Sequence, residues 1–297
     1  MTFTIRDLES YSEMLVLRQL QREIWGLDKP DFGLYPPFLY SVAKNGGMVL
    51  GAFDDETGQM IGFLFGFLGR EPGGPLKLCS QTMGVLPAWR GQGIAEALKQ
   101  TQRERVMAQK LPLVTWTFDP LEGPNAQLNL HKLRAISRTY WRDMYGSHFG
   151  ALNAGLPTDR LVVEWWVNGQ RAKSGATQAH HEPSRGAKNA LHFETASIFE
   201  VAGKNVERRI RQIHLNLETT SLRLEIPADL HWLKAANLTL AFDWRLKVRQ
   251  AFEAYFAKGY LATNFSSTFE QGERRNRYVL EKSTPDLLAE IGIEENI

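Results

Sequence analysis

Apolar and polar residues change period block by block along this chain, and each change marks an element. Phe3-Thr4-Ile5-Arg6 alternates like a short strand. From Tyr11 to Trp25, Met14, Leu15, Leu17, Leu20 and Ile24 recur at near-helical spacing, and Gly26 makes a natural stop. Pro36-Pro37 opens a shorter helix over Pro37 to Val42. Met48 to Phe53 and Met60 to Leu68 read as strands around the turn-forming Asp54-Asp55-Glu56-Thr57-Gly58. Beyond the Pro- and Gly-rich loop Glu71 to Pro75, the run Leu76 to Leu86 is a further strand. Ile94, Ala97, Leu98, Thr101, Arg105 and Ala108 then share a face of a helix over Gly93 to Lys110. Leu113 to Phe118 predicts a strand, Asn125 to Leu133 a short helix, and Ala135 to Tyr140 and Leu161 to Val167 two more strands.

The pattern breaks after Val167. Asn168 to Asn189 is polar and carries Gly169, Gly175 and Gly186, so it reads as a linker or excursion. His180-His181 lies there without a carboxylate–imidazole constellation, and no metal site is expected. Ser197 to Val201 and Leu222 to Ile226 are strand-like, and Asp229 caps a helix after Pro227. Leu238, Phe242, Val248, Phe252, Tyr255 and Phe256 define a long amphipathic helix ending at Gly259. Tyr260 to Phe265 and Tyr278 to Glu281 close as a hairpin across Glu270 to Glu273. Arg245 sits on the apolar face of the long helix and calls for a partner, with Glu225, Asp243 and Glu253 as candidates.

Composition narrows the class. The 297 residues hold 35 basic and 33 acidic side chains, a net charge of +2, which gives no electrostatic case for a nucleic-acid partner. A lone Cys79 excludes an intramolecular disulfide framework, and its apolar run suggests a buried, inert thiol. No apolar run approaches the ~18 residues of a membrane span, and the first residues lack signal-peptide form. A cytoplasmic enzyme with no membrane partner is the expectation; homo-oligomerisation stays open.

The most specific chemistry lies in Val85-Leu86-Pro87-Ala88-Trp89-Arg90-Gly91-Gln92-Gly93-Ile94-Ala95-Glu96-Ala97-Leu98. A strand runs through a two-glycine loop into a helix, so unpaired N–H groups collect at the positive end of a helix dipole. Gly91 and Gly93 let a phosphate approach the main chain, and Arg90 adds a cation able to fork onto it. The spacing Arg90-x-x-Gly93-x-Ala95 together with the element order resembles the GNAT acyltransferases, over roughly residues 3 to 167.

That resemblance implies an α/β (α+β) fold with a mixed, mostly antiparallel sheet. Residues 1–167 would form the acyl-CoA-binding catalytic domain, 168–191 a linker or excursion, and 192–297 a smaller β-α-β-β domain. The last is either a degenerate half-copy without a glycine loop or an unrelated appendage. The implied reaction is direct transfer of an acetyl or succinyl group from acetyl-CoA or succinyl-CoA to a small amine or amino acid. A non-catalytic acyl-CoA sensor and a protein N-acetyltransferase are the alternatives.

Arg90, Gly91, Gln92, Gly93, Ile94 and Ala95 would hold the pyrophosphate, Met83, Gly84 and Val85 the pantetheine arm, and Asn125 and Asn129 further parts of the cofactor. The family's helical tyrosine is replaced by Leu130, leaving His131, Tyr140 or Tyr145 as acids and Asp119 or Glu164 as base candidates. Gln81 could order a water relay. Asp159 and Arg160 would read the amine and carboxylate of an amino acid, or else pair with each other. The chain from Asn153 to Trp165 further resembles a bacterial subgroup of which some members accompany N-acylamino-acid racemases.

Overall fold

A computed structural model describes residues 2–26, 33–146, 155–178 and 195–293. It is a mixed α/β protein whose chain divides into two compact units, Met1–Trp116 and Thr117–Ile297.

In the first unit the strands are β1 (Phe3–Asp7), β2 (Met48–Asp54), β3 (Met60–Arg70), β4 (Leu76–Val85) and the start of β5 (Leu113–Phe118). They lie side by side in that order, antiparallel from β1 to β4 and parallel between β4 and β5. Helices α1 (Tyr11–Trp25), α2 (Pro36–Lys44) and α3 (Ile94–Ala108) pack on this sheet. The cap chemistry of α1 explains its ends: Ser10 and Glu13 form a reciprocal capping box, and Gly26 takes the left-handed conformation at φ 59°. Met14 and Leu17 of α1, Phe63 and Phe65 of β3 and Leu98 and Val106 of α3 are fully buried in the core.

The second unit begins in β5. A short helix α4 (Gly123–Ala126) continues as one π-helical stretch over Gln127–Lys132, where a single α-helix was expected. The other elements are β6 (Ile136–Trp141), β7 (Arg160–Trp166), α5 (Gln170–Gln178), β8 (Ala196–Ser197), β9 (Phe199–Ala202), β10 (Arg209–Ile213), β11 (Ser221–Ile226), α6 (Leu230–Ala236), α7 (Leu238–Ala257), β12 (Tyr260–Glu270), β13 (Glu273–Lys282) and α8 (Pro285–Ile291). Strands run β7-β6-β12-β13-β11-β8, mostly antiparallel, with β9 and β10 as a separate pair. Trp244, Val248, Phe252 and Tyr255 of α7 are buried with Phe265 and Tyr278 of the hairpin.

Two sequence expectations are revised here. Residues 170–178 are helical rather than a polar linker: Arg171 donates to the Thr263 carbonyl at 2.8 Å, and a Cβ on Gly175 would meet the Lys132 carbonyl at 2.6 Å. Tertiary packing thus makes a helix of a segment whose composition argues against one. The break between units also falls inside β5, not at 168–191, because β6 joins β12 through Ala262 and Ser137. His180, His181 and Asn153 lie outside the described residues.

Candidate functional site

The glycine loop belongs to the first unit, and the strand that feeds it is deformed. Phe65 pairs with Thr82 but Gly66 with Ser80, so Gln81 is an extra residue, a β-bulge. On its other side β4 meets β5 only through Leu78–Val114 and Cys79–Thr115. From Ser80 to Val85 it pairs with β3 alone. The bulge therefore sits where β4 leaves β5, and it opens one strand edge toward the loop. Gln81 is exposed at this bend. Met83, Gly84 and Val85 lie along the open edge, and Gly84 is packed closely, since a Cβ there would meet Ile24 and Trp25 at 3.0 Å.

Beyond Leu86 a single tight turn (Pro87–Trp89) leads to the glycines. Gly91 and Gly93 adopt φ +78° and +83°, left-handed values that a side chain would strain, and a Cβ on either would meet nothing within 4 Å. Gly93 is the N-cap of α3, with no side chain capping the helix. The backbone N–H groups of Gln92, Gly93, Ile94 and Ala95 thus have no acceptor among the described residues. Arg90 is exposed beside them, its Nε donating to the Val85 carbonyl at 3.3 Å. An exposed helix N-terminus with this main-chain nest and a neighbouring guanidinium has the geometry and charge to accept an anion.

The remaining sequence candidates fall in the second unit, where ion pairs decide what each can do. Asp119 accepts a bidentate fork from Arg245 at 2.7 and 2.5 Å, while Arg160 stands 3.8 Å away. Arg245 is almost wholly buried; burial opposes its charge, but the Asp119 carboxylate outweighs that and holds the guanidinium above its ordinary range. Its partner is therefore not Glu225, Asp243 or Glu253. Glu225 binds Arg208 and Arg275, Asp243 binds Lys247, and Glu253 binds Arg142.

Asp159 is completely buried. Arg249 forks onto it at 2.8 and 2.7 Å, the Tyr140 hydroxyl donates at 2.7 Å, and the Asp143 N–H donates at 3.0 Å. Arg160 touches the Asp159 carbonyl rather than its carboxylate, at 2.8 Å, and lies 5.1 Å from the Tyr145 ring centroid. Of the two readings left open for this pair, the mutual salt bridge is not the one formed: the Asp159 carboxylate pairs with Arg249. Burial, and then the Asp159 carboxylate, push the Tyr140 hydroxyl well above the ordinary tyrosine range.

His131 is exposed on the π-helical stretch, with Nδ1 3.2 Å from Asn264 Oδ1. Asn125 is exposed in α4, Asn129 is buried, and Leu130 is fully buried. Arg249 and the Arg245–Asp119 fork escaped the sequence reading, because their partners are 90 and 126 residues away. Among the described residues no group of three metal-ligating side chains comes together, and no helix is long and apolar enough to cross a membrane.

No family model matches the sequence, and no curated protein matches it. Solved structures resemble it over about half its length. An N-acetyltransferase from Staphylococcus aureus Mu50 is 14% identical with a TM-score of 0.45, covering 56% of this chain and 99% of its own. NAA60 of Arabidopsis thaliana, in complex with acetyl-CoA, is 16% identical with a TM-score of 0.44, covering 56% of this chain and 99% of its own. An acetyltransferase of the GNAT family from Streptococcus pneumoniae is 15% identical with a TM-score of 0.43, covering 55% and 98% respectively.

Proposed function

We propose that this chain is a GNAT-type N-acyltransferase that moves an acetyl or succinyl group from coenzyme A to the amino group of a small substrate, with amino acids among the candidate acceptors. The observation that carries the reading is the left-handed pair Gly91 and Gly93 between a bulged, half-open strand and the uncapped start of α3. A diphosphate matches the N–H nest and Arg90. The free edge of Met83, Gly84 and Val85 suits the amide-bearing pantetheine arm, and an N–H there can polarise the thioester carbonyl. Asn125 and Asn129 are further candidates for holding the cofactor. The amine then attacks the carbonyl carbon, the C–S bond breaks, and the thiolate takes up a proton.

Asp119 and Tyr140 are committed to Arg245 and Asp159, which leaves His131 and Tyr145 as candidates to move a proton. A thiolate with a pKa of about 8.5 is also a fair leaving group unaided. Asp159 is a structural anchor in this reading, and Arg160 is the residue assigned to a substrate carboxylate.

One observation favours a second reading. Leu130, at the position of the family's acid, is apolar and fully buried, as in a protein that binds acyl-CoA without turning it over. Release of free thiol from acetyl-CoA and succinyl-CoA, assayed against a panel of primary amines and amino acids, separates the two. Turnover with any amine supports the transferase; tight binding without turnover supports the sensor. If amino acids are the acceptors, Arg160→Lys lowers kcat/KM for them by roughly ten- to a hundred-fold, the scale of a lost charged hydrogen bond, and spares plain amines. Equal losses on both substrate classes would remove Arg160 from recognition.

A further inference from the structure

The second unit holds a cavity that the reading above does not use. It opens where β11 runs out into α6, beside the tip of the β12–β13 hairpin and the single tight turn Asn205–Glu207, and encloses about 140 Å³. Its floor is apolar, since Pro227, Leu233 and Trp244 line it and are buried. Trp232 lines it too, yet is 52% exposed where Trp244 is 1%. An apolar cavity of about 150 Å³ holds a benzene ring, so this one has room for a single group of side-chain size.

The walls are fixed by their own bonds. Arg208 bridges Glu225 at 2.9 Å and Glu273 at 2.7 Å, tying the hairpin tip to the turn. The Asn205 N–H donates to Glu273 at 3.2 Å, and Trp244 Nε1 donates to the Arg208 carbonyl at 3.0 Å. Asn276 Nδ2 holds the Pro227 and Ala228 carbonyls at 3.2 and 3.1 Å. A ligand entering such a preformed pocket loses little affinity to ordering it.

Three polar groups at the rim keep unused capacity. Arg208, Arg275 and Arg277 are matched by Glu225, Glu270 and Glu273, and Arg274 is left over. It falls on the face of β13 that carries the buried Asn276 and Tyr278, at the tip where that core ends. No described carboxylate lies within ion-pair distance of it; its guanidinium stands 5.1 Å from the Phe269 ring centroid, and Nη1 lies 3.5 Å from Ser267 Oγ. Asp229 accepts the Trp232 N–H on Oδ1 at 2.9 Å, and its Oδ2 accepts nothing among the described residues. The Asn205 side-chain amide likewise has no partner among them. A cation, a carboxylate oxygen and an amide above an apolar floor complement a zwitterion that carries an apolar side chain. A ligand with one charge leaves either Arg274 or Asp229 unmatched.

We propose that this cavity is a binding site for a free α-amino acid with an aromatic or aliphatic side chain. The side chain enters against Trp232 and Trp244, the ammonium meets Asp229, and the carboxylate meets Arg274. The site shares no residue with the proposed transferase machinery and needs no coenzyme A.

Calorimetric titration of the full chain without coenzyme A tests it, with L-phenylalanine and three probes that each lack one feature: 2-phenylethylamine the carboxylate, 3-phenylpropionate the ammonium, and glycine the side chain. L-phenylalanine is expected to bind with a Kd of roughly 1 mM or tighter, and each of the others at least roughly tenfold more weakly. Trp232→Ala, Arg274→Gln and Asp229→Asn are each expected to weaken L-phenylalanine by a similar factor with the melting temperature nearly unchanged. Asparagine caps a helix as well as aspartate does, so the last of these removes the charge and keeps the cap. Arg160→Lys is expected to leave the Kd as it is. No binding of L-phenylalanine at millimolar concentration, equal binding of any of the three probes, or an affinity unchanged in the cavity variants would overturn the proposal. Affinity lost in Arg160→Lys and kept in the cavity variants would place the amino acid at the acceptor site of the transferase reading, and would overturn this one alone.

Discussion

Single side chains in this protein carry charge into places where charge is expensive. Lys99 is the clearest case, since the groups facing it, Ser80 of β4, Gln102 of α3 and Trp116 of β5, bear no formal charge. Its folded pKa is lowered by burial, so between that value and the ordinary lysine pKa the unfolded chain binds more protons. Stability contributed by this site therefore rises with pH across that window. Lys99→Met is expected to raise the melting temperature at neutral pH, with the advantage shrinking as pH climbs toward about 10. A variant less stable than the native protein at neutral pH would show that the ammonium is better compensated than its neighbours imply. Asp119 is the opposite case, a carboxylate on which a buried cation depends. Asp119→Asn removes the carboxylate onto which Arg245 forks and is expected to cost about 3 kcal/mol, read as a lower denaturant midpoint. A change within a few tenths of a kcal/mol would mean that Arg245 finds another partner.

Elements were legible from the sequence wherever one face is buried and the other wet. The hairpin of β2 and β3, the helix α3 and the strand β5 lie within one or two residues of where alternation and helical spacing put them. The loop at Gly91 and Gly93 was legible too, because only glycine meets φ near +80° without strain. Tertiary contacts fixed what local pattern could not. Helix α5 exists although Ser174 and Gly175 weaken it, because glycine permits close approach to the backbone at Lys132. The charged run Arg209–Ile213 gives little strand signal, yet it pairs with β9. The bulge at Gln81 leaves no mark in composition, since it shows only in register against β3. Ion-pair partners were the least legible feature: the apolar face of α7 announced that Arg245 needed a carboxylate, but Asp119 lies 126 residues away. Asp159→Asn tests the corresponding role of Arg249 and Tyr140, and is expected to lower the melting temperature because the buried pair loses its charge.

At the scale of the whole molecule, the two-glycine junction proposed to hold the diphosphate belongs to the first unit. The second has its own core around α7 and, among its described residues, no two-glycine junction between a strand and a helix. The chain should therefore bind one coenzyme A and not two. Titration of coenzyme A into the native protein and into Gly93→Val, followed by calorimetry, tests this most directly. Gly93 is exposed at φ +83° with open space where a Cβ would stand, so valine strains the loop by about 1–3 kcal/mol without meeting the core. The predicted result is one coenzyme A per native chain and affinity at least roughly tenfold weaker in the variant, with the fold retained. No binding by the native protein, unchanged affinity in the variant, or two coenzyme A molecules per chain would contradict it.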